Sequence, residues 1–109
     1  MRRNVIREQV ERTARTSLDR IERILTEVGP MVVDKLPQAT GHRVERDGDV
    51  LLLCVDFTNI GGLEAAEQVE DIIRMKLPVD VERAFSTQTD LEGNTTVEFR
   101  CYPRKVATF

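Results

Sequence analysis

Residues 42–57 read HRVERDGDVLLLCVDF. An Asp-Gly pair between two strand-like runs, here Asp47-Gly48, is the strongest short signal for a β-hairpin. We therefore predict strands over His42–Arg46 and Val50–Phe57. The first strand carries charge and alternates weakly, which is typical of an edge strand. The second begins with six consecutive apolar residues, a pattern typical of a central strand covered on both faces, or covered by a helix on one face and a partner on the other.

Two amphipathic segments flank this hairpin. Residues 4–28 have the helical apolar period, with Val10, Ala14, Leu18, Ile21, Leu25 and Val28 on one stripe. Gly29-Pro30 is a stop signal, so we expect this helix to end there and Pro30 to open a short helical turn through Leu36. Leu63–Leu77 has the same period and is predicted to be a second helix that Pro78 ends.

The C-terminal part of the chain alternates with the strand period. It predicts strands over Val79–Thr87 and Thr95–Tyr102, joined by a loop at residues 89–94. The resulting order is α-β-β-α-β-β, in one α+β domain spanning residues 1–109. We expect a four-stranded, mainly antiparallel sheet with two helices on one face. The same cycle of elements, cut at another point, describes a ferredoxin-like sandwich, so a circular permutation of that sandwich is the predicted fold.

Composition narrows the class of protein. The chain has 109 residues, of which 40% are hydrophobic and 32% charged, with a net charge of −3. This balance excludes general disorder. No apolar run approaches the ~20 residues of a membrane span, and no signal peptide is visible. We therefore expect a cytoplasmic protein, or one within an assembled particle, with no membrane contact.

The chemistry-bearing residues form no recognisable catalytic or metal-binding pattern. Cys54 and Cys101 lie outside any CxxC motif and are expected to be small buried residues. His42 has no activating carboxylate beside it and is interpreted as a surface strand residue. Gly61-Gly62 lacks the Walker and dinucleotide-binding patterns. We expect no cofactor, no metal and no small-molecule ligand.

Asp56 with Thr58 and Asn59 is the most site-like group. Asp56 ends the central strand, where α/β sheets often place functional groups. The alternative interpretation is a strand end followed by a helix cap.

Acidic residues crowd the start of the second helix. They are Glu64, Glu67, Glu70 and Asp71. Such a stripe is usually a solvated helix face, and the alternative is a docking face for a basic partner. These acids also argue against a phosphate site at Gly61-Gly62, because their field would repel an anion.

The N-terminal segment is the most informative feature for function. Its basic residues are Arg2, Arg3, Arg7, Arg12 and Arg15, and its apolar ones include Val5, Ile6 and Val10. Arginines oppose the dipole at a helix N-terminus, so a phosphate backbone, an acidic protein patch or solubility is expected to favour them. The alternative interpretation is a solvated terminal extension. A 25-residue helix is ~37 Å long against a body of roughly 34 Å, so we expect it to overhang the domain. We predict that this segment binds a partner.

Three functions follow from these features. The first is a non-catalytic assembly subunit that binds itself or another protein, as in a small structural protein of a phage-like viral particle. The second is a nucleic-acid-binding module that uses the N-terminal arginines with Arg100, Arg104 and Lys105. The third is a small enzyme that uses Asp56.

Overall fold

The structure is a computed structural model that describes residues 16–104. Its elements are α1 (Leu18–Lys35), β1 (Ala39–Asp47), β2 (Val50–Thr58), α2 (Gly62–Lys76), β3 (Val81–Thr89) and β4 (Asn94–Pro103). This order confirms the predicted α-β-β-α-β-β arrangement, with strand boundaries that differ from the predicted ones by at most three residues.

The four strands form one antiparallel sheet in the order β1-β2-β4-β3. Because β2 and β3 both run antiparallel to β4, they are parallel to each other and β4 lies between them. This split β-α-β arrangement is the one expected from a ferredoxin-like cycle opened at another connection. Thr16 and Arg104 both donate hydrogen bonds to Asp80. The two ends of the described chain therefore lie side by side, as a circular permutation requires.

The hairpin prediction is confirmed. Asp47 pairs with Val50, which leaves Gly48 and Asp49 as a two-residue turn, and Gly48 has a φ of 60°. The prediction of a central β2 is also confirmed, because β2 lies between β1 and β4. On its helix-facing side all four apolar residues are at most 1% exposed, namely Leu51, Leu53, Val55 and Phe57.

The predicted boundaries of the first helix differ from the structure at both ends. Ser17 has an extended backbone and its side chain accepts a hydrogen bond from the Arg20 amide at 3.2 Å, so α1 begins at Leu18. The predicted helical residues 4–15 lie outside the described part of the chain. The predicted stop at Gly29-Pro30 is wrong, because α1 continues through both residues to Lys35. The separate helical turn predicted after Pro30 is part of the same helix.

Burial of the apolar stripe explains why α1 passes through its stop signal. Val32 lies after Pro30 and is fully buried, and Val33 and Leu36 after it pack against the core. Full burial of an aliphatic side chain of this size stabilises the fold by about 1.5–3 kcal/mol. A helix-interior proline costs about 3 kcal/mol and a glycine about 1 kcal/mol relative to alanine. Because three apolar side chains after Pro30 pack on the core, the longer helix is favoured.

Gly29 has a packing role instead of a terminating one. It is buried on α1 where the helix crosses His42 of β1. A Cβ atom at position 29 would lie 2.5 Å from Nδ1 of His42, well inside van der Waals contact. The glycine therefore allows α1 to approach β1 closely. Among residues 16–104, no helix is both long and apolar enough to cross a membrane.

Candidate interaction surface

The predicted N-terminal binding segment lies outside the described residues, so its role stays a prediction. The structure describes the point to which it is attached. Asp80, in the loop before β3, accepts hydrogen bonds from the Thr16 amide at 2.5 Å and the Thr16 hydroxyl at 2.7 Å. Burial alone would raise the pKa of Asp80, but these bonds, with smaller help from Arg20, lower it. The Arg104 amide donates to the Asp80 carbonyl at 2.7 Å, so both ends of residues 16–104 are held beside the start of β3.

The predicted acidic face of α2 is divided in two by the fold. The side chain of Glu70 contacts β3. Nε of Arg83 donates hydrogen bonds to both carboxylate oxygens of Glu70, at 2.9 Å to Oε1 and 2.7 Å to Oε2. The bond to Glu70 is the main reason that the pKa of Arg83 is raised. Asp71 lies 3.5 Å from Arg74 on the same helix. Glu64 and Glu67 are exposed. Only part of the predicted stripe is therefore an uncompensated acidic surface.

Asp56 belongs to a polar cluster on the face of the sheet opposite the helices. Its Oδ1 accepts a hydrogen bond from the Thr96 hydroxyl at 2.8 Å. Its Oδ2 lies 3.7 Å from Nη1 of Arg43 in a half-exposed ion pair. Each carboxylate oxygen of Asp56 therefore has a partner on a neighbouring strand, as is common for polar residues on the surface of a sheet. The Thr40 hydroxyl also donates to the Asp56 carbonyl at 3.3 Å, so the cluster links β1 and β4 to β2 on this face of the sheet.

The interpretation of Thr58 and Asn59 as a helix cap is wrong. The N-cap of α2 is Gly61, which has no side chain to accept a hydrogen bond. Asn59 instead adopts a φ of 61° in the turn after β2. Its carbonyl accepts a hydrogen bond from the Gln38 side chain at 2.8 Å. These residues shape the β2–α2 turn and do not join Asp56 in a site.

The histidine and the cysteines have the structural positions that the sequence predicts. His42 is exposed on β1. Cys54 and Cys101 are free and buried. Burial raises the pKa of both thiols, that of Cys101 to about 12. Since the thiolate is the reactive form, both residues act as packing groups at neutral pH. Within residues 16–104, no group of three or more His, Cys, Asp or Glu is placed to hold a metal ion.

The feature that sequence reasoning missed is the outer edge of β3. The strand order places β1 and β3 at the two edges of the sheet, and β3 is exposed over most of its length. Phe85, at its centre, packs one side against Phe99 with ring centroids 5.7 Å apart, yet it remains 49% exposed. Exposed apolar residues flank β3 in the chain on both sides, Val79 before it and Leu91 after it.

Helix α2 adds a further apolar group to this side of the molecule. Its first residue, Gly62, lies directly against Thr87 of β3, since a Cβ atom there would be 2.7 Å from the Thr87 hydroxyl. The next residue, Leu63, is 65% exposed. Apart from Met75, the large exposed hydrophobic residues of the described chain therefore lie on β3, beside it in sequence or beside it in space. We call the set Leu63, Val79, Phe85 and Leu91, with the outer backbone of β3, the β3 edge surface.

The two edges of the sheet are protected to different degrees. β1 has a register irregularity between Ala39 and Gly41 and is rich in charged residues, two features that discourage edge-to-edge pairing. The charges on β3 are Glu82 and Arg83, and each is paired within the chain, with Arg104 and Glu70. From position 84 to 89 the strand reads AFSTQT and carries no charge. The uncharged run was visible in the sequence, but its position at an edge depends on the strand order.

Comparison with known proteins adds no relative. No protein-family model matches the chain. Searches of curated proteins and of solved structures also find no match.

Proposed function

We propose that this protein is a non-catalytic assembly subunit that binds a protein partner, either a second copy of itself or another protein. The observation that carries the proposal is the β3 edge surface. It combines exposed apolar side chains with a strand whose outer backbone groups have no partner within the described sheet. An uncapped edge strand is a template for pairing with another chain, and Phe85 at the centre of this strand is the exposed apolar side chain that such a pairing would cover.

The polar groups of the described residues support a binding role over a chemical one. The two thiols are buried, Asp56 is satisfied by Thr96 and Arg43, and His42 packs against α1. Apart from the Thr96 hydroxyl, which donates to Asp56, no hydrogen bond between side chains within residues 16–104 joins one of these groups to a second group that could act as a base or a nucleophile. A structural role in a larger particle, including a phage-like one, is compatible with this proposal and is part of what the assembly experiment addresses.

The nucleic-acid alternative receives no specific support from residues 16–104. Arg100 pairs with Glu98 at 3.2 Å, and Arg104 pairs with Glu82 at 3.3 Å. These arginines are compensated within the chain, and the N-terminal arginines lie outside the described part. The binding of nucleic acid is therefore retained as an outcome of the experiment instead of a second proposal.

The proposal is tested with the whole untagged chain. Light scattering behind size-exclusion chromatography at low salt, with absorbance recorded at protein and nucleic-acid wavelengths, gives the mass of the particle and its content. We expect a defined protein oligomer free of nucleic acid. A monomer at every concentration would refute self-assembly, and a monomer that elutes with nucleic acid would replace the proposal with the nucleic-acid alternative.

A further inference from the structure

We propose that the partner of the β3 edge surface is a second copy of this chain, and that the two β3 strands pair antiparallel about a two-fold axis at Phe85. This inference rests on the proposed assembly function and specifies its geometry. The pairing would join two four-stranded sheets into one continuous eight-stranded sheet. It is an isologous contact, in which each copy presents the same patch.

The register follows from the position of Phe85. β3 spans Val81–Thr89, so Phe85 is its central residue. A two-fold axis at this position pairs all nine residues of one strand with all nine of the other. It also places the two half-exposed Phe85 side chains directly opposite each other, and aromatic cross-strand pairs are among the stabilising ones. Shifting the axis by one residue shortens the ladder and places Phe85 opposite a polar or charged residue.

The same register avoids every like-charge contact along the strands. Glu82 of one copy lies opposite Gln88 of the other, and Arg83 lies opposite Thr87. The remaining pairs outside the axis are uncharged. Both charges on β3 are already compensated within their own chain, so pairing buries no unbalanced charge. Like charges placed directly opposite would destabilise the pair, and none occurs.

The other edge of the sheet fits the equivalent contact less well. An axis at the central residue of β1 would place Arg43 opposite Arg43. The irregularity between Ala39 and Gly41 would also interrupt that ladder. The β3 contact is isologous, so it closes at a dimer.

The helices are compatible with the dimer. Side chains directly opposite in an antiparallel pair share a face, so residues that face the helices in one copy meet helix-facing residues in the other. Both α2 helices then lie on the same face of the joined sheet, one on each side of the axis.

Substitutions at Gln88 test which residues of the two β3 strands lie opposite each other. Gln88 is exposed, lies on the face away from the helices and would be opposite Glu82 of the second copy. Gln88→Lys would place opposite charges across the interface and Gln88→Glu would place like charges there. Each change occurs twice because of the symmetry. We expect the dimer dissociation constant to fall by about 2- to 30-fold for Gln88→Lys and to rise by a similar factor for Gln88→Glu.

Matched variants on the other edge are the control. Thr40 is exposed on β1, so Thr40→Lys and Thr40→Glu introduce the same charges on an edge strand that the proposal leaves free. They should change the dissociation constant little. Sedimentation equilibrium across roughly 1–500 μM covers weak and moderate dimers. Hydrogen exchange on the same samples should show slower exchange in β3, but not in β1, as concentration rises.

The outcomes separate this inference from the proposed function. An opposite response of the dimer to the two Gln88 variants, with an unaffected Thr40 pair, supports the β3 contact. An added lysine normally blocks edge pairing, so a tighter Gln88→Lys dimer is difficult to obtain from any other contact. An oligomer whose dissociation constant is the same in both Gln88 variants as in the unmodified protein overturns the inference while leaving the assembly function intact. A monomer at all concentrations overturns the β3 dimer and removes self-assembly together with it.

Discussion

Replacing Gly29 by alanine tests the reason that α1 contains a glycine beside its proline. Alanine is a better helix former than glycine by about 1 kcal/mol, so propensity alone predicts a more stable protein. The structure predicts the opposite. The new Cβ atom would lie 2.5 Å from Nδ1, 3.0 Å from Cγ and 3.2 Å from Cε1 of His42. To restore an ordinary contact of about 3.4 Å, the imidazole or the helix must move by about 0.9 Å, and overpacking of this kind costs about 1–3 kcal/mol.

The two contributions give Gly29→Ala a net loss of up to about 2 kcal/mol. Because the opposing group is one side chain, removing it should reverse the sign of the effect. In a His42→Ala background, Gly29→Ala should stabilise the protein by about 1 kcal/mol. The coupling between the two positions is therefore expected to be about 1–3 kcal/mol.

Urea denaturation followed by far-ultraviolet circular dichroism measures all four proteins of this cycle. The slope of the transition should stay constant, so that midpoint shifts report stability. His42→Ala alone supplies the control for loss of the imidazole. If Gly29→Ala stabilises the protein equally with and without His42, the close approach of α1 and β1 does not explain the glycine.

Three other substitutions and treatments probe the described structure. Pro30→Ala should raise the free energy of unfolding by about 1–3 kcal/mol, because it restores a helical hydrogen bond without removing core contacts; an unchanged urea midpoint would contradict this. Asp80→Asn should lower it by about 1–3 kcal/mol at neutral pH by weakening the bonds from Thr16. The pKa of Asp80 is lower when folded than its ordinary 3.8, so this difference should be complete above pH ~4 and vanish as pH falls through the folded value; a constant difference down to pH ~2 would contradict it. Cys54 and Cys101 should react with a thiol reagent only after unfolding, since both are buried with raised pKa values, and rapid labelling of the native protein would show that burial is incomplete.

Local patterns predicted most of the fold because their signals lie within a few residues. The Asp-Gly signal predicts the hairpin, and the turn itself is Gly48-Asp49, whose glycine adopts a positive φ that few other residues accept. The apolar run in β2 predicts a strand covered on both faces, or covered by a helix on one face and a partner on the other. In the described structure the helices cover one face, and Leu52 on the other face is partly exposed. The periodicity of α2 and the alternation of β4 give the element types directly. The boundaries of the helices and strands were predicted less accurately. The predicted C-terminal end of α1 was wrong because burial of Val32, a tertiary contribution to stability, outweighs the local cost of Pro30.

The candidate surface was only partly predictable. The sequence identified β3 as a strand, and its run from position 84 to 89 is visibly uncharged. Nothing local distinguishes an edge strand from a central one when its charges are few. The ion pair between Glu70 and Arg83 was likewise invisible, since it joins α2 to β3 through the packing of one on the other. The acidic stripe consequently appeared more uniform in the sequence than it is in the fold.

The sequence by itself determined the element order, the hairpin, the buried cysteines and the central position of β2. These properties depend on backbone preferences and on apolar periodicity, which act over a few residues. Tertiary structure alone decided the passage of α1 through Pro30, the meeting of Thr16 and Arg104 at Asp80 and the exposure of β3 at the sheet edge. Each depends on which elements pack side by side, and the free energy of that choice comes from contacts between residues far apart in the chain.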